Sequence, residues 1–378
     1  MGDEIIRGHE INSLVYRVLV VAVKPLLILC AFQLSDQIAS DLAKIFIWTA
    51  FITPVASLSI YKTYMSEAIL NGYLVAVPKI ITHTACFFLI ILVSKYAFQF
   101  ASIFVCVFVA DFFFHQISRI FLYQKKILVW ALINIIQSIS IFALVVINSY
   151  NIGILNVFMV IIGLALFASF GSALVFLKKK DWVLEVEMSQ SFFGSSRKAL
   201  MSMDRIAASL LIDNEKFWVI GILFQISGAA AIGFDATKIM PKKRDIALQK
   251  LKKKDLNVFK ANFHWSVVSA ITSFGFLFSQ FRDVATVIMV IPVFLYRGMM
   301  VNDLSVNLEV FFWRNRLGLA TAVNVFFVSI FAASAIFIYQ SVSYLPALLI
   351  SAVVAAIMMQ LANYIFNSGY LNKSHVDI

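Results

Sequence analysis

The chain has 378 residues, of which 61% are hydrophobic and only 13% charged, with a formal net charge of +11 and a mean hydropathy of +0.90. A soluble domain carries about 25% charged and about 45–50% apolar residues. The composition therefore excludes an ordinary water-soluble globule and predicts an all-α polytopic membrane protein, since apolar runs of about 18 residues or more recur along the chain.

In chain order the runs place twelve spans: 14–34, 41–61, 74–94, 99–119, 127–147, 153–177, 191–212, 217–236, 263–280, 284–302, 317–338 and 343–366. Each has about the 18–25 residues needed to cross about 30 Å of hydrocarbon as a helix. Helices are required, because each segment must satisfy its own backbone polar groups. The alternation of a membrane barrel is missing. The first span follows a dozen polar residues, contains Lys24-Pro25 and has no small-residue cleavage site after it, so it reads as a retained helix.

Basic residues test this layout. With both termini placed in the cytoplasm, 22 of the 31 Lys and Arg fall on the cytoplasmic side, counting Arg119, Arg197 and Lys198 towards the cytoplasmic ends of their spans; three (Lys95, Lys216 and Arg282) fall outside, and the other six lie within spans. The positive charge thus marks a membrane face and does not call for nucleic acid. Cys30, Cys86 and Cys106 all lie in spans, with no disulfide framework and no metal-ligand spacing. No metal and no cofactor is expected. The GxxxxGK[ST] phosphate loop is missing too, which rules out ATP drive within the chain.

Two connections divide the chain. Residues 178–190, "KKKDWVLEVEMSQ", form a cytoplasmic linker between a six-span N-terminal lobe (1–177) and a six-span C-terminal lobe (191–378). Residues 237–262 form a basic cytoplasmic loop in which Ile246, Leu248, Leu251 and Leu256 alternate with lysines. That pattern suits a short amphipathic helix on anionic lipid, attracted by about 1 kcal/mol per basic residue, or simply a solvated topology anchor. Six plus six with equal orientation predicts two lobes related by a pseudo-two-fold axis along the membrane normal.

Charges within spans identify the candidate site, because ionisable groups at bilayer depth face a bundle interior or a hydrated cavity. Arg17, Lys44, Lys79 and His115 lie near span ends, where long cationic side chains reach the headgroups. Arg297 lies five residues from the end of its expected span. Lys24, Asp111, Asp204 and Arg205 lie deeper. Helical neighbours point about 100° apart, so Asp204 and Arg205 cannot pair well with each other and at least one needs a further partner or water. Asp111 and His115 share a helix face and suit either a proton or cation relay or a plain intrahelical hydrogen bond. If the lobes are pseudo-symmetric, Lys24 and Arg205, in the first helix of each, face each other across a central cavity. Pro25, Pro54, Pro78 and Pro292 are positions where helices can kink.

The stretch 191–234, "SFFGSSRKALMSMDRIAASLLIDNEKFWVIGILFQISGAAAIGF", resembles the start of the second lobe in Wzx-type polysaccharide flippases of the MOP (MATE-like) exporter superfamily. The likeness lies in an Asp-Arg pair within an apolar helix, a short polar turn and a Gly- and Ala-rich helix. The loop "IMPKKRDIALQKLKKKD" and the segment 314–339, with Asn324, are similar to later parts of that lobe. The resemblance implies a bacterial inner-membrane, multi-pass flippase for an undecaprenyl-pyrophosphate-linked oligosaccharide, working by alternating access on a proton or sodium gradient or on the membrane potential. It serves O-antigen, lipopolysaccharide or capsule synthesis. Its partners are then that substrate, membrane lipids and the coupling cation. On this reading Lys24, Arg205 and Arg297 bind the pyrophosphate, and Asp111, His115 and Asp204 serve ion coupling or proton relay.

Two other readings stand beside it. A MATE-type small-molecule exporter would take cationic drugs and would favour an acidic cavity, whereas the deep charges here balance, with Arg297 tipping them positive. A membrane glycan polymerase, glycosyltransferase or acyltransferase would need a sizeable external loop or a deep histidine base. The only external acids of the longest outer loop are Asp36 and Asp41, and His83 and His264 are poorly placed as bases. The chain is thus expected not to be an enzyme.

Overall fold

The computed structural model describes residues 2–56, 127–150, 188–212, 217–234, 258–281, 284–313 and 317–371. Among these residues the secondary structure is entirely helical. The helices are α1 Gly2–Phe32, α2 Asp36–Ala56, α3 Ile127–Ser149, α4 Met188–Leu211, α5 Phe217–Phe234, α6 Val258–Phe281, α7 Val284–Trp313, α8 Leu317–Ser341 and α9 Tyr344–Leu371. Each falls on most of an expected span. The spans expected at 74–94, 99–119 and 153–177 lie outside the described residues, as do most of the linker and of the basic loop. Four described helices are long and apolar enough to cross a membrane: Val15–Phe32, Ile127–Ile147, Leu317–Ser341 and Pro346–Phe366.

Several helices run past their expected ends. α1 begins at Gly2 rather than near residue 14, and α9 continues to Leu371. α7 continues to Trp313, eleven residues past the expected end at 302. The expected span stops at Asn302, ahead of the polar Asp303 and Asn307, but Asn302 and Asn307 are both buried and hydrogen-bonded within the helical packing. Asn302 Nδ2 donates to Asn262 Oδ1 at 2.9 Å, and Asn307 Nδ2 donates to Asn363 Oδ1 at 2.8 Å. Amides that find partners on neighbouring helices no longer oppose burial.

The chain separates into two compact units: Met1–Ser195 with Asn214–Ile222, and Ser196–Asp213 with Leu223–Ile378. In the first, α1 packs on α2 and α3, and α2 packs on α3. The start of α5 belongs to this unit, and its contacts show why. The Trp218 backbone N–H donates to Ser40 Oγ at 3.2 Å, and its indole Nε1–H donates to Asp36 Oδ1 at 3.0 Å. The same ring stacks on Phe32 with centroids 4.3 Å apart. Gly221 lies so close to α2 that a Cβ there would fall 2.4 Å from Ala43 Cβ. Helices in lipid associate through such small-residue approaches, since tails offer no hydrophobic drive.

In the second unit α7 packs on α6, α8 and α9, and α8 packs on α9. The buried face of α8 is Leu317, Ala320, Asn324, Phe327, Phe331 and Ala335, a spacing of three and four that keeps one stripe inward. α9 answers with small residues: Ala347, Ser351, Ala352, Ala355, Ala356 and Ala362 are all buried. The opposite faces carry exposed apolar side chains, among them Phe326, Phe337 and Ile357. That surface suits acyl chains and would be an aggregation hazard in water.

Candidate functional site

Three of the expected residues come together in the second unit. α4 and α7 bring Asp204 and Arg297 into a bidentate ion pair. Arg297 Nε donates to Asp204 Oδ2, and Arg297 Nη2 donates to Oδ1 at 2.7 Å. Both are shielded, with Asp204 0% and Arg297 1% exposed. Asp204 Oδ1 also accepts the backbone N–H of Arg205 at 2.9 Å, and Arg297 Nη2 reaches the Met201 carbonyl at 3.5 Å. A planar guanidinium fork matches a carboxylate in this way, and the geometry is the strong, charge-assisted kind. It supplies the further partner that the 100° separation of Asp204 and Arg205 demands.

Phe224 of α5 gathers the two arginines. The Arg205 guanidinium carbon lies 5.6 Å from the ring centroid and that of Arg297 lies 5.7 Å from it. Phe294 backs the ring at 6.2 Å. One turn on from Phe224, Gly228 lies beside Arg205, where a Cβ would sit at ordinary contact distance, 3.6 Å, from Arg205 Nη1. An aromatic ring near two cations attracts both through its quadrupole. The three charged side chains sum to +1. Chemically the arrangement offers fixed guanidinium donors to an anion, with the carboxylate used to set the geometry.

Arg297 was placed near a helix end by the sequence pattern, but α7 has 30 residues and Arg297 is well inside it. The helix continues eleven residues beyond the expected span end at 302. Its guanidinium, expected to bind substrate, is engaged by Asp204, and Asp204, expected to serve ion coupling, is engaged by Arg297. Phe224 was missed altogether. As one of 37 phenylalanines it carries no sequence signal.

The other candidates lie elsewhere. Lys24 belongs to the first unit, where its ammonium lies 5.4 Å from the Phe46 ring centroid. Lys44 is placed similarly over Phe217 at 5.5 Å. Arg17 is buried rather than at the surface, with 7% exposure. Asp111 and His115 lie outside the described residues. Among the described residues no group of His, Cys, Asp and Glu is arranged to hold a metal ion.

No family model and no curated protein matches the chain. Among solved structures the chain is similar to the eukaryotic MATE transporter AtDTX14, at 14% identity and a TM-score of 0.60. The match covers 95% of this chain and 94% of that one. At this identity the likeness shows the fold: an all-helical membrane fold of the MATE type. With the apolar helices it makes this chain a multi-pass membrane protein.

Proposed function

We propose that the protein is an exporter of the MOP type that flips a lipid-linked oligosaccharide across the membrane by alternating access. The carrying observation is the cluster of Arg205, Arg297 and Asp204 about Phe224. Two guanidiniums against one carboxylate favour an anionic group, and low dielectric strengthens that preference. A pyrophosphate is such a group, and an undecaprenyl chain attached to it can stay in lipid. In this reading Arg205 contacts the pyrophosphate. Arg297 and Asp204 hold the geometry as positioning residues. Lys24 of the first unit is assigned to substrate binding. Asp111 and His115 are assigned to coupling with a proton or sodium gradient. The chain catalyses no covalent step, works in the bacterial inner membrane and has both termini in the cytoplasm.

The MATE fold favours a second reading, export of small organic cations. Proteoliposomes discriminate the two. The flippase reading expects a fluorescent undecaprenyl-pyrophosphate-linked oligosaccharide to become accessible in the opposite leaflet only when the protein is present. Efflux of an organic cation dye, with no movement of the lipid, would replace it with the second reading. Transfer of sugar to an acceptor lipid would show an enzyme instead.

A further inference from the structure

The buried polar groups of α6 form a line that the ion-pair cluster does not use. Asn262, Ser266, Ser269 and Ser273 fall at i, i+4, i+7 and i+11, on one helix face. All are buried, at 3%, 0%, 5% and 0% exposure. The line runs for about 16 Å at 1.5 Å per residue, half of a hydrocarbon core.

At one end the line is closed. Asn262 Nδ2 donates to the Met299 carbonyl at 2.8 Å, and Asn302 Nδ2 donates to Asn262 Oδ1 at 2.9 Å. Beyond that point the hydroxyls are poorly held. Ser266 Oγ stands 3.5 Å from Asn262 Oδ1, and Ser269 Oγ stands 3.4 Å from the Ile226 carbonyl of α5. Ser273 Oγ has no hydrogen-bond partner among the described residues. Hydroxyl hydrogen bonds ordinarily close to about 2.7–2.8 Å.

Other hydroxyls in this protein do close. On outward faces Thr272 bonds the Val268 carbonyl at 2.8 Å and Ser279 bonds that of Phe276 at 2.7 Å. Burial alone does not loosen them either. Ser138, Ser209 and Ser351, all buried, reach their own helices' carbonyls at 2.9, 2.7 and 2.9 Å. Thr49, buried on α2, is also loose, at 3.3 Å from the Phe46 carbonyl, but it stands singly, whereas on α6 three such hydroxyls follow one another along one face. A buried hydroxyl that declines its own helix carbonyl is costly unless something else bonds it, and a water lying beside this face, rather than between these close pairs, would do so.

We propose that the Ser266–Ser269–Ser273 face of α6 binds a file of ordered water. The file starts beside the α6–α7 amide junction, where a Cβ at Gly298, next to Arg297, would lie 3.3 Å from Ser266 Oγ. It wets one side of the α5–α6–α7 packing, within two residues of Phe224 at Ile226. Its ligand is water, whatever cargo the protein carries, so it stands or falls apart from the transport reading.

Radiolytic hydroxyl-radical labelling of the full chain in lipid nanodiscs tests it, with Cys30, Cys86 and Cys106 replaced by Ala. Ser273→Cys and, as a second reporter, Ser269→Cys are compared with Ala352→Cys on the apolar face of α9, whose parent residue is 1% exposed. The water file requires the two α6 reporters to be oxidised several-fold faster than the α9 one. It also requires that Ser273→Ala leave the Tm unchanged or lower it. Equal oxidation rates overturn the proposal. So does a Tm raised by about 2 °C in Ser273→Ala, the response of a dry, unsatisfied hydroxyl replaced by an apolar group.

Discussion

The two units treat buried charge in different ways. In the first, Lys24 and Lys44 are half-buried and lie over the rings of Phe46 and Phe217. In the second, Asp204 and Arg297 are sealed from solvent and joined in a bidentate fork. The difference follows from depth of burial. A partly exposed ammonium keeps part of its solvation, and an aromatic face adds about 0.5–1 kcal/mol. A fully buried charge has lost that solvation, and only an opposite charge with good geometry offsets it.

Breaking the sealed pair should give the largest effect. Asp204→Ala and Arg297→Ala should each lower stability by about 3–5 kcal/mol, because each strands a buried charge. Thermal unfolding in detergent checks this, and the double variant Asp204→Leu with Arg297→Met should recover most of the loss. Losses that simply add would mean the two residues act independently.

Next come the contacts that hold the start of α5 within the first unit. Gly221→Val should cost about 1–3 kcal/mol by overpacking against Ala43. Ala43→Gly in the same chain should return part of it, since the closest obstacle is the Ala43 Cβ. Trp218→Phe keeps the ring against Phe32 but removes the indole N–H to Asp36. A loss of about 1 kcal/mol is expected, and Asp36→Asn in the Trp218→Phe background should then add little. Smallest of all, Phe46→Leu beside Lys24 should cost less than about 1 kcal/mol beyond its change in packing. A larger loss would mean that Lys24 depends on that ring as strongly as Asp204 depends on Arg297.

Much of the helical plan was open to reading from the sequence, for a physical reason. Lipid imposes long apolar runs, so each described helix falls on an expected span. The ends were harder to read. α7 passes Asn302 and Asn307 because those amides bond to Asn262 and Asn363, partners distant in sequence. Hydropathy scores a residue alone and cannot know that its partner awaits it. The need of Asp204 for a partner could be foreseen from helical geometry, but which of the deep cations would answer it could not. Phe224 and the water-suited face of α6 depend wholly on three-dimensional neighbours.

The account turns on Arg205 as the anion-binding cation of the cluster that Asp204 and Arg297 hold in place. The measurement that tests it most directly is the initial rate of transbilayer movement of the lipid-linked oligosaccharide in proteoliposomes, for Arg205→Glu and Arg205→Lys beside the unaltered chain. Losing a charge-assisted contact is expected to slow Arg205→Glu by about tenfold or more, with Arg205→Lys falling between it and the parent. Transport by a folded Arg205→Glu at the parental rate would contradict the account.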